Sequence, residues 1–400
     1  MDIAYTLKKD RRTTPFIPDK PLPFGQARSD HMFLMDYDPE KEGWHDPRIV
    51  PYGDHFTIAP GATILHYGQG IFEGMKAHQH DDGNIFLFRP ELNFKRFNDS
   101  AEGICMPQVP EEMQHGGLNA LIDLERLWFP QQKDASLYLR PFIFGTEDRL
   151  GVHPSNTYTY CVFLSPSGAY FPTGFNAQTM MLTDQFHRAA PGGVGNKKYT
   201  GNYARTLLAG KVAHDRGAVQ VLYLDVNNKR LDEYGAMFHY QVTQRDPHNP
   251  IGNAILLPEF TDTNLRSTTA DTMLDLSPLL EKEIGYHVAQ SPITLDGFID
   301  GILSGLITET GGLGTAAVVA PVGRYVLDLS KKVIKATTAT DEEKRQSGIA
   351  HHFTTINELI VGDGQVGEVS SAMYQLLNDI QTGKRESPNP EWLVKVPRMR

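Results

Sequence analysis

The sequence predicts an α+β fold in two domains, and three observations support this. The chain has 400 residues, more than a single hydrophobic core usually organises. Strand-like runs rich in aromatic and β-branched residues occur in both halves and mix irregularly with helical patterns, without a regular βαβ alternation. Between the halves lies a turn-rich stretch holding Pro166, Gly168, Pro172 and the aromatics Tyr170, Phe171 and Phe175. We therefore expect a smaller N-terminal α/β domain over 1–165, which begins with a Pro-rich surface arm through Pro23. A linker over 166–178 and a larger C-terminal domain over 179–400 follow.

In chain order, 31–37 reads as a strand. Residues 62–67 lead into a glycine turn and a strand over 71–77, and the 81–84 turn gives way to a strand at 85–88. Residues 90–101 read as a helix, with Leu92, Phe94 and Phe97 on its apolar side and Arg96 pointing elsewhere. The spacing of Leu118, Leu121, Ile122, Leu124 and Leu127 predicts a helix over 117–128. Strands follow at 135–140, 158–164 and 179–182. The second half then predicts a helix over 201–216, a buried strand over 219–225, a tight turn at Asn227-Asn228-Lys229 and a hairpin partner over 230–242. Helices near 269–280 and 295–304 precede a strand at 317–322. The glycine runs 192–195 and 311–314 lack both the strand–GxGxxG–helix order of a dinucleotide fold and the Gly-Lys-Ser/Thr ending of a P-loop. Taken alone, each reads as a flexible loop.

Composition narrows the function. Hydrophobic residues make up 40% and charged residues 22%, a globular mixture. A formal net charge of -10 argues against nucleic acid and against an anionic lipid surface, since both require a basic footprint. No stretch approaches the roughly 20 apolar residues of a membrane span. The first residues have neither the apolar core of a secretory signal nor the composition of a transit peptide. The two cysteines, Cys105 and Cys161, are far apart and read as reduced thiols. We expect a cytoplasmic protein. His78, His80, Asp81 and Asp82 read as a solvated turn, and we expect no metal.

The segment that carries chemistry runs from Arg188 to Tyr203, where Lys198 precedes Gly201-Asn202-Tyr203 at the start of a helix. Glu233-Tyr234-Gly235-Ala236-Met237 follows, and then the Gly-Leu-Gly-Thr-Ala run ending at Ala316. Together these resemble fold-type IV enzymes that use pyridoxal 5'-phosphate. The first half narrows the resemblance to branched-chain amino acid aminotransferases. It does so through Phe24-Gly25, Asp30-His31-Met32, Leu65-His66-Tyr67, Phe72-Glu73-Gly74-Met75-Lys76-Ala77, Leu137-Tyr138-Leu139-Arg140-Pro141 and the run from Gly145-Thr146-Glu147 to Gly151-Val152. The likeness runs in register from about Phe24 to Val322.

That resemblance implies the fold, the cofactor and a set of roles. Lys198 would hold pyridoxal 5'-phosphate covalently and carry a proton, because a lysine amine becomes reactive once burial or nearby charge destabilises its ammonium form. Lys197 is one residue out of register. Glu233 would face the pyridine nitrogen, and since neighbours on a strand face opposite sides, Asp232 would not. Arg96 would meet the phosphate, with Thr268, Thr269 and Thr315 adding donors near helix N-termini. Tyr203 would hydrogen-bond the cofactor's 3'-oxygen. Phe24, Phe72, Tyr138 and Tyr203 would wall an aliphatic substrate side chain, and Leu150 and Val152 would reach in from a second subunit of a homodimer with shared active sites. The substrate carboxylate would meet amides near Ala236 and Ala316 and the Tyr67 hydroxyl. Arg140 would pair with the distal carboxylate of glutamate.

The chain departs from the family pattern at Ala236 and Phe238, where threonine and asparagine are usual, and at Arg266-Ser267, just before the two threonines. Ala317 and Ala320 replace the redox cysteines of animal relatives. The implied reaction exchanges leucine, isoleucine and valine with 2-oxoglutarate, so the partners would be small amino acids and 2-oxo acids. A D-amino-acid aminotransferase, an aminodeoxychorismate lyase, or a non-catalytic relative that binds the cofactor stand as alternatives on the same fold.

Overall fold

A computed structural model describes residues 1–20, 22–54, 56–132, 135–168, 175–244, 252–338 and 351–399. Two nine-stranded sheets dominate the described residues. The centre of the first is an antiparallel pair, Ser136–Gly145 against Tyr158–Ser167, flanked by His31–Asp38 on one side and Met75–Gln79 on the other. The helices Pro90–Gly103 and Glu111–Leu124 cover one face. Phe94, Phe97, Leu118 and Leu121 of these helices enter one core with Phe33, Ile71 and Leu137. The last strand of the chain, Leu393–Lys395, returns to this sheet and pairs with Ile85–Phe88.

The second sheet is mixed. It runs in the order Leu231–Tyr234, Gln220–Leu224, Gln178–Thr183, Val318–Asp328, Ile307–Gly314, Phe238–Thr243, Ala254–Leu257 and His287–Gln290. Helices Thr268–Asp275, Ser277–Ile284 and Glu368–Gln381 pack on one face, and Leu295–Ser304 packs on the other. Because both faces are covered, Phe238–Thr243 is buried along its whole length. Its sequence still alternates, and the polar members His239, Gln241 and Thr243 are buried with the apolar ones.

Several boundaries differ from the sequence reading for identifiable reasons. The strand expected over 71–77 is broken into Gly70–Phe72 and Met75–Gln79. The break lies at Glu73-Gly74, where the Glu73 carboxylate turns inward and the Tyr138 ring occupies the space a Gly74 side chain would need. Residues 63–67 form a short helix. The helix expected from 117 begins at Glu111, where two acidic residues in the first turn suit the helix dipole although they carry no apolar signal. The helix expected over 201–216 is divided into Thr200–Ala204 and Leu207–Asp215, and that near 269–280 is divided after Asp275.

The hairpin partner expected over 230–242 is two strands. Only Leu231–Tyr234 pairs with Gln220–Leu224, and Phe238–Thr243 pairs with Ile307–Gly314. The 311–314 run is not a loop, and the 192–195 run is a loop pinned at its Gly195 end. Gly311 and Gly312 lie inside a strand, where a β-carbon would meet the Tyr240 ring at 2.6 Å and Met237 at 2.8 Å. Gly195 approaches the Thr263 carbonyl so closely that a β-carbon would stand 2.6 Å from it, and Asn202 Nδ2 donates to Val194 O at 2.7 Å. Of the linker expected over 166–178, residues 169–174 lie outside the described residues.

Candidate active site

The two sheets face each other across a cleft lined by residues of both. Local backbone contacts deliver Lys198 to it. The Lys198 amide donates to Ser100 Oγ at 2.9 Å, and its carbonyl accepts from the Phe72 amide at 3.1 Å. The side chain is thereby held between a helix of the first sheet and the broken strand. Its Nζ lies 3.1 Å from Tyr203 Oη and 5.0 Å from the centre of the Phe72 ring. Lys197 points elsewhere, its side chain filling the space over Gly103. Of the two lysines, Lys198 is the one that lines the cleft.

Glu233 lines the cleft, 4% exposed, and its Oε1 accepts from the Leu265 amide at 2.7 Å. Asp232 faces the other way and accepts from Thr263 Oγ1 at 2.9 Å, as strand alternation requires. Burial pushes the Glu233 carboxyl up to about 7. The Arg188 guanidinium pulls it down, Asp232 pushes it up further, and the Leu265 amide and Lys198 oppose that. Arg188 opens the lysine segment of the sequence, where nothing marks a role for it. It is 2% exposed, with Nη1 2.7 Å from Glu233 Oε1.

Arg96 reaches the cleft from helix Pro90–Gly103 and is gripped by a second unforeseen partner. Its Nε donates to Glu73 Oε2 at 2.8 Å and its Nη2 to Glu73 Oε1 at 2.5 Å, while Nη1 donates to Arg266 O at 2.9 Å. A guanidinium has five N–H donors, so two remain without a partner among the described residues. Burial raises the fully enclosed Glu73, but the charge and hydrogen bonds of Arg96 outweigh it and hold the carboxyl below its ordinary range.

The apolar wall is aromatic. Phe24 meets the Tyr138 ring edge-on at 4.7 Å, and Phe72 meets Tyr203 at 4.7 Å. The Arg140 guanidinium lies 4.9 Å over Phe72, with Nη2 donating to Tyr138 Oη at 3.2 Å. Thr315, Ala236 and Ala316 also line the cleft, and the structure adds Met237, Phe238, Leu265 and Ser267. The Ala236 amide already donates to Gln220 Oε1 at 3.2 Å, so it is not free as a donor to a substrate.

Some expected residues stand apart. Thr268 and Thr269 line a smaller adjoining cavity together with Thr315. Ser267, which caps their helix by accepting from the Ala270 amide, takes the place at the cleft. The Tyr67 hydroxyl accepts from the Gly151 amide at 2.7 Å, next to Leu150 and Val152, which are 68% and 90% exposed. These three form a group outside the cleft of their own chain.

A family model for amino-transferase class IV matches residues 70–303. The chain belongs to the class IV aminotransferases. Relatives of this class IV chain agree on a subgroup. Branched-chain-amino-acid transaminase 1 of Bacillus subtilis (strain 168) is 37% identical over 393 residues, covering 97% of this chain and 99% of that one. A probable branched-chain-amino-acid aminotransferase of Staphylococcus aureus (strain N315) is 37% identical over 402 residues, covering 99% and 100%. Within class IV, the chain thus belongs with the branched-chain aminotransferases. The fold is that of the solved branched-chain amino acid aminotransferase from Thermobaculum terrenum in its PLP-form. That structure has a TM-score of 0.64 at 15% identity and covers 93% of this chain and 100% of that one. The fold-type IV expectation therefore holds. Among the described residues no helix is long and apolar enough to cross a membrane.

Proposed function

We propose that this aminotransferase uses pyridoxal 5'-phosphate to exchange amino groups between leucine, isoleucine or valine and 2-oxoglutarate, with Lys198 as the residue that holds the cofactor. One observation carries the reading: the Lys198 amine stands in a cleft between an inward-facing carboxylate, Glu233, and an arginine with two N–H donors to spare. The donor set suits the cofactor's three polar points, namely an aldehyde, a ring nitrogen and a phosphate. When bound, the cofactor supplies an aldehyde that takes up the amino group and a ring that spreads the electron pair left at Cα.

The chain's residues do the rest. Lys198 Nζ would hold the cofactor and would carry the proton to and from the substrate Cα. Glu233 would hold a proton at the cofactor's ring nitrogen. Tyr203 Oη, already hydrogen-bonded to Lys198, orients the 3'-oxygen. The spare N–H groups of Arg96 and the amides opening helix Thr268–Asp275 take the phosphate, where the helix dipole favours an anion. Ser267 and Thr315 add hydroxyls there. Phe24, Phe72 and Tyr138 exclude water around an aliphatic side chain, and Arg140 holds the distal carboxylate when glutamate replaces it. The substrate's own carboxylate falls to the Ala316 amide and to Tyr67. Because Leu150 and Val152 stand exposed beside the half-buried Tyr67, we read the three as lent to the cleft of a second copy, in a cytoplasmic homodimer. We read the two sheets as belonging to two domains joined over 166–178.

The test is a panel of amino donors in a coupled assay. Activity with L-leucine and none with D-alanine supports the reading, and activity with the D-isomer alone overturns it. Lys198→Ala should abolish the visible absorbance of the loaded enzyme while Lys197→Ala keeps it.

A further inference from the structure

We propose that Arg188 is a positioning residue for Glu233: its buried guanidinium opposes protonation of that carboxyl and holds it turned toward the cleft. The proposal rests on the reading that Glu233 faces the cofactor's ring nitrogen, and it extends that reading to a residue outside the cleft. Arg188 is among the largest fully buried side chains of the described residues. Besides lying 2.7 Å from Glu233 Oε1, its Nη1 donates to Gly195 O at 3.0 Å and to Thr263 O at 3.1 Å. One carbonyl belongs to the glycine turn three residues ahead of Lys198. The other belongs to the segment whose Leu265 amide also binds Glu233 Oε1. The guanidinium head is thus fixed by two separate stretches of backbone before it meets the carboxylate.

Both recorded contacts of the carboxylate fall on Oε1. The ion pair therefore orients the group without consuming it, and Oε2 is left for the cleft. A buried carboxyl without a cation goes neutral, and a neutral carboxyl cannot hold a proton on a ring nitrogen. The charged groups facing Glu233 are Arg188, Asp232 on its own strand and Lys198. Lys198 changes its bonding during the reaction, and Asp232 repels. Arg188, whose guanidinium does not lose its proton in proteins, is the constant positive charge.

The experiment uses the cofactor-free protein and infrared spectroscopy over a pH series. The band of a protonated carboxylic acid is assigned to Glu233 by its loss in Glu233→Gln. In Arg188→Met the band should persist to a pH higher by about one unit or more than in the wild type, and Arg188→Lys should restore most of the difference. In the loaded enzyme, Arg188→Met should lower kcat about tenfold or more while the KM for the amino donor moves less than about threefold. An unchanged band midpoint in Arg188→Met overturns the proposal, as does a loss confined to KM. If Arg188→Met does not fold, Arg188→Gln is compared with Arg188→Lys, and equal midpoints overturn it. The underlying reading fails separately, if Glu233→Gln leaves the affinity and absorbance of the bound cofactor unchanged while the Arg188 variants still move the band.

Discussion

Two buried glutamate–arginine pairs border the cleft, and they end on opposite sides of the ordinary carboxylate range. Glu73 meets Arg96 through both oxygens and receives the Gly74 amide at 2.7 Å on one of them. Three donors and a full positive charge more than offset its desolvation, so it stays ionised. Glu233 meets Arg188 through one oxygen, gains one further amide and has Asp232 beside it. There desolvation wins, and the carboxyl rises to about 7. The comparison teaches that a buried ion pair is not one kind of object. The number of donors on the carboxylate decides whether the pair is a structural clamp or a group poised to change its proton.

The sharpest way to break this contrast is to remove the charge from each carboxylate. Glu73→Gln leaves Arg96 buried and unpaired, and we expect a loss of about 3–5 kcal/mol in unfolding free energy by urea denaturation. Glu233→Gln removes a group already near half protonation at neutral pH, so its stability cost should be the smaller of the two. Its transamination rate should nonetheless fall about a hundredfold or more. If the two substitutions cost the same stability, the two pairs are alike after all.

The next effect is the direction of pH dependence in the cofactor-free protein. Glu73 is lowered in the folded state, so its contribution is present above the ordinary value of 4.5 and is lost as pH falls through its folded value. Glu233 is raised, so the folded state binds the proton more tightly than the unfolded chain does. Stability should therefore decline as pH rises from 4.5 to about 7. Urea midpoints across that window should fall in the wild type and flatten in Glu233→Gln. The smallest effect concerns Lys76, a buried amine whose Nζ donates to Ala316 O at 2.8 Å. Burial lowers it to about 8. Relative to Lys76→Met, the wild type should gain stability as pH rises from about 8 toward the ordinary 10.5, read as a crossing trend in thermal midpoints.

The sequence made the site legible wherever one residue type had one plausible job. Lys198 could be separated from Lys197, and Glu233 from Asp232, by register against the family motif, with strand alternation adding that only one of the two carboxylates faces the cleft. Arg188 stays hidden for the opposite reason. It lies well ahead of Lys198 in the chain, and nothing local says that its side chain crosses to Glu233. Glu73 sits within a recognisable motif yet shows no task there, since its partner lies on another element. The glycine runs read as loops because the tight approaches of Tyr240, Met237 and Thr263 that require them come from distant strands and turns. Tyr67 has a substrate contact implied by resemblance, without any indication that it sits with Leu150 and Val152 outside its own cleft.

By itself, then, the sequence determined the α+β class and most of the strands and helices, and its resemblance to a family named Lys198, Glu233 and Arg96 as site candidates. The elements are written in periodicity within a short window, and the candidates in motifs whose order resembles the family's. Only the tertiary structure decided which carboxylate stays charged, which amide is already taken and which side chains leave their own cleft. Those outcomes depend on desolvation and on donors brought from far along the chain, and such contacts exist only once the two sheets face each other.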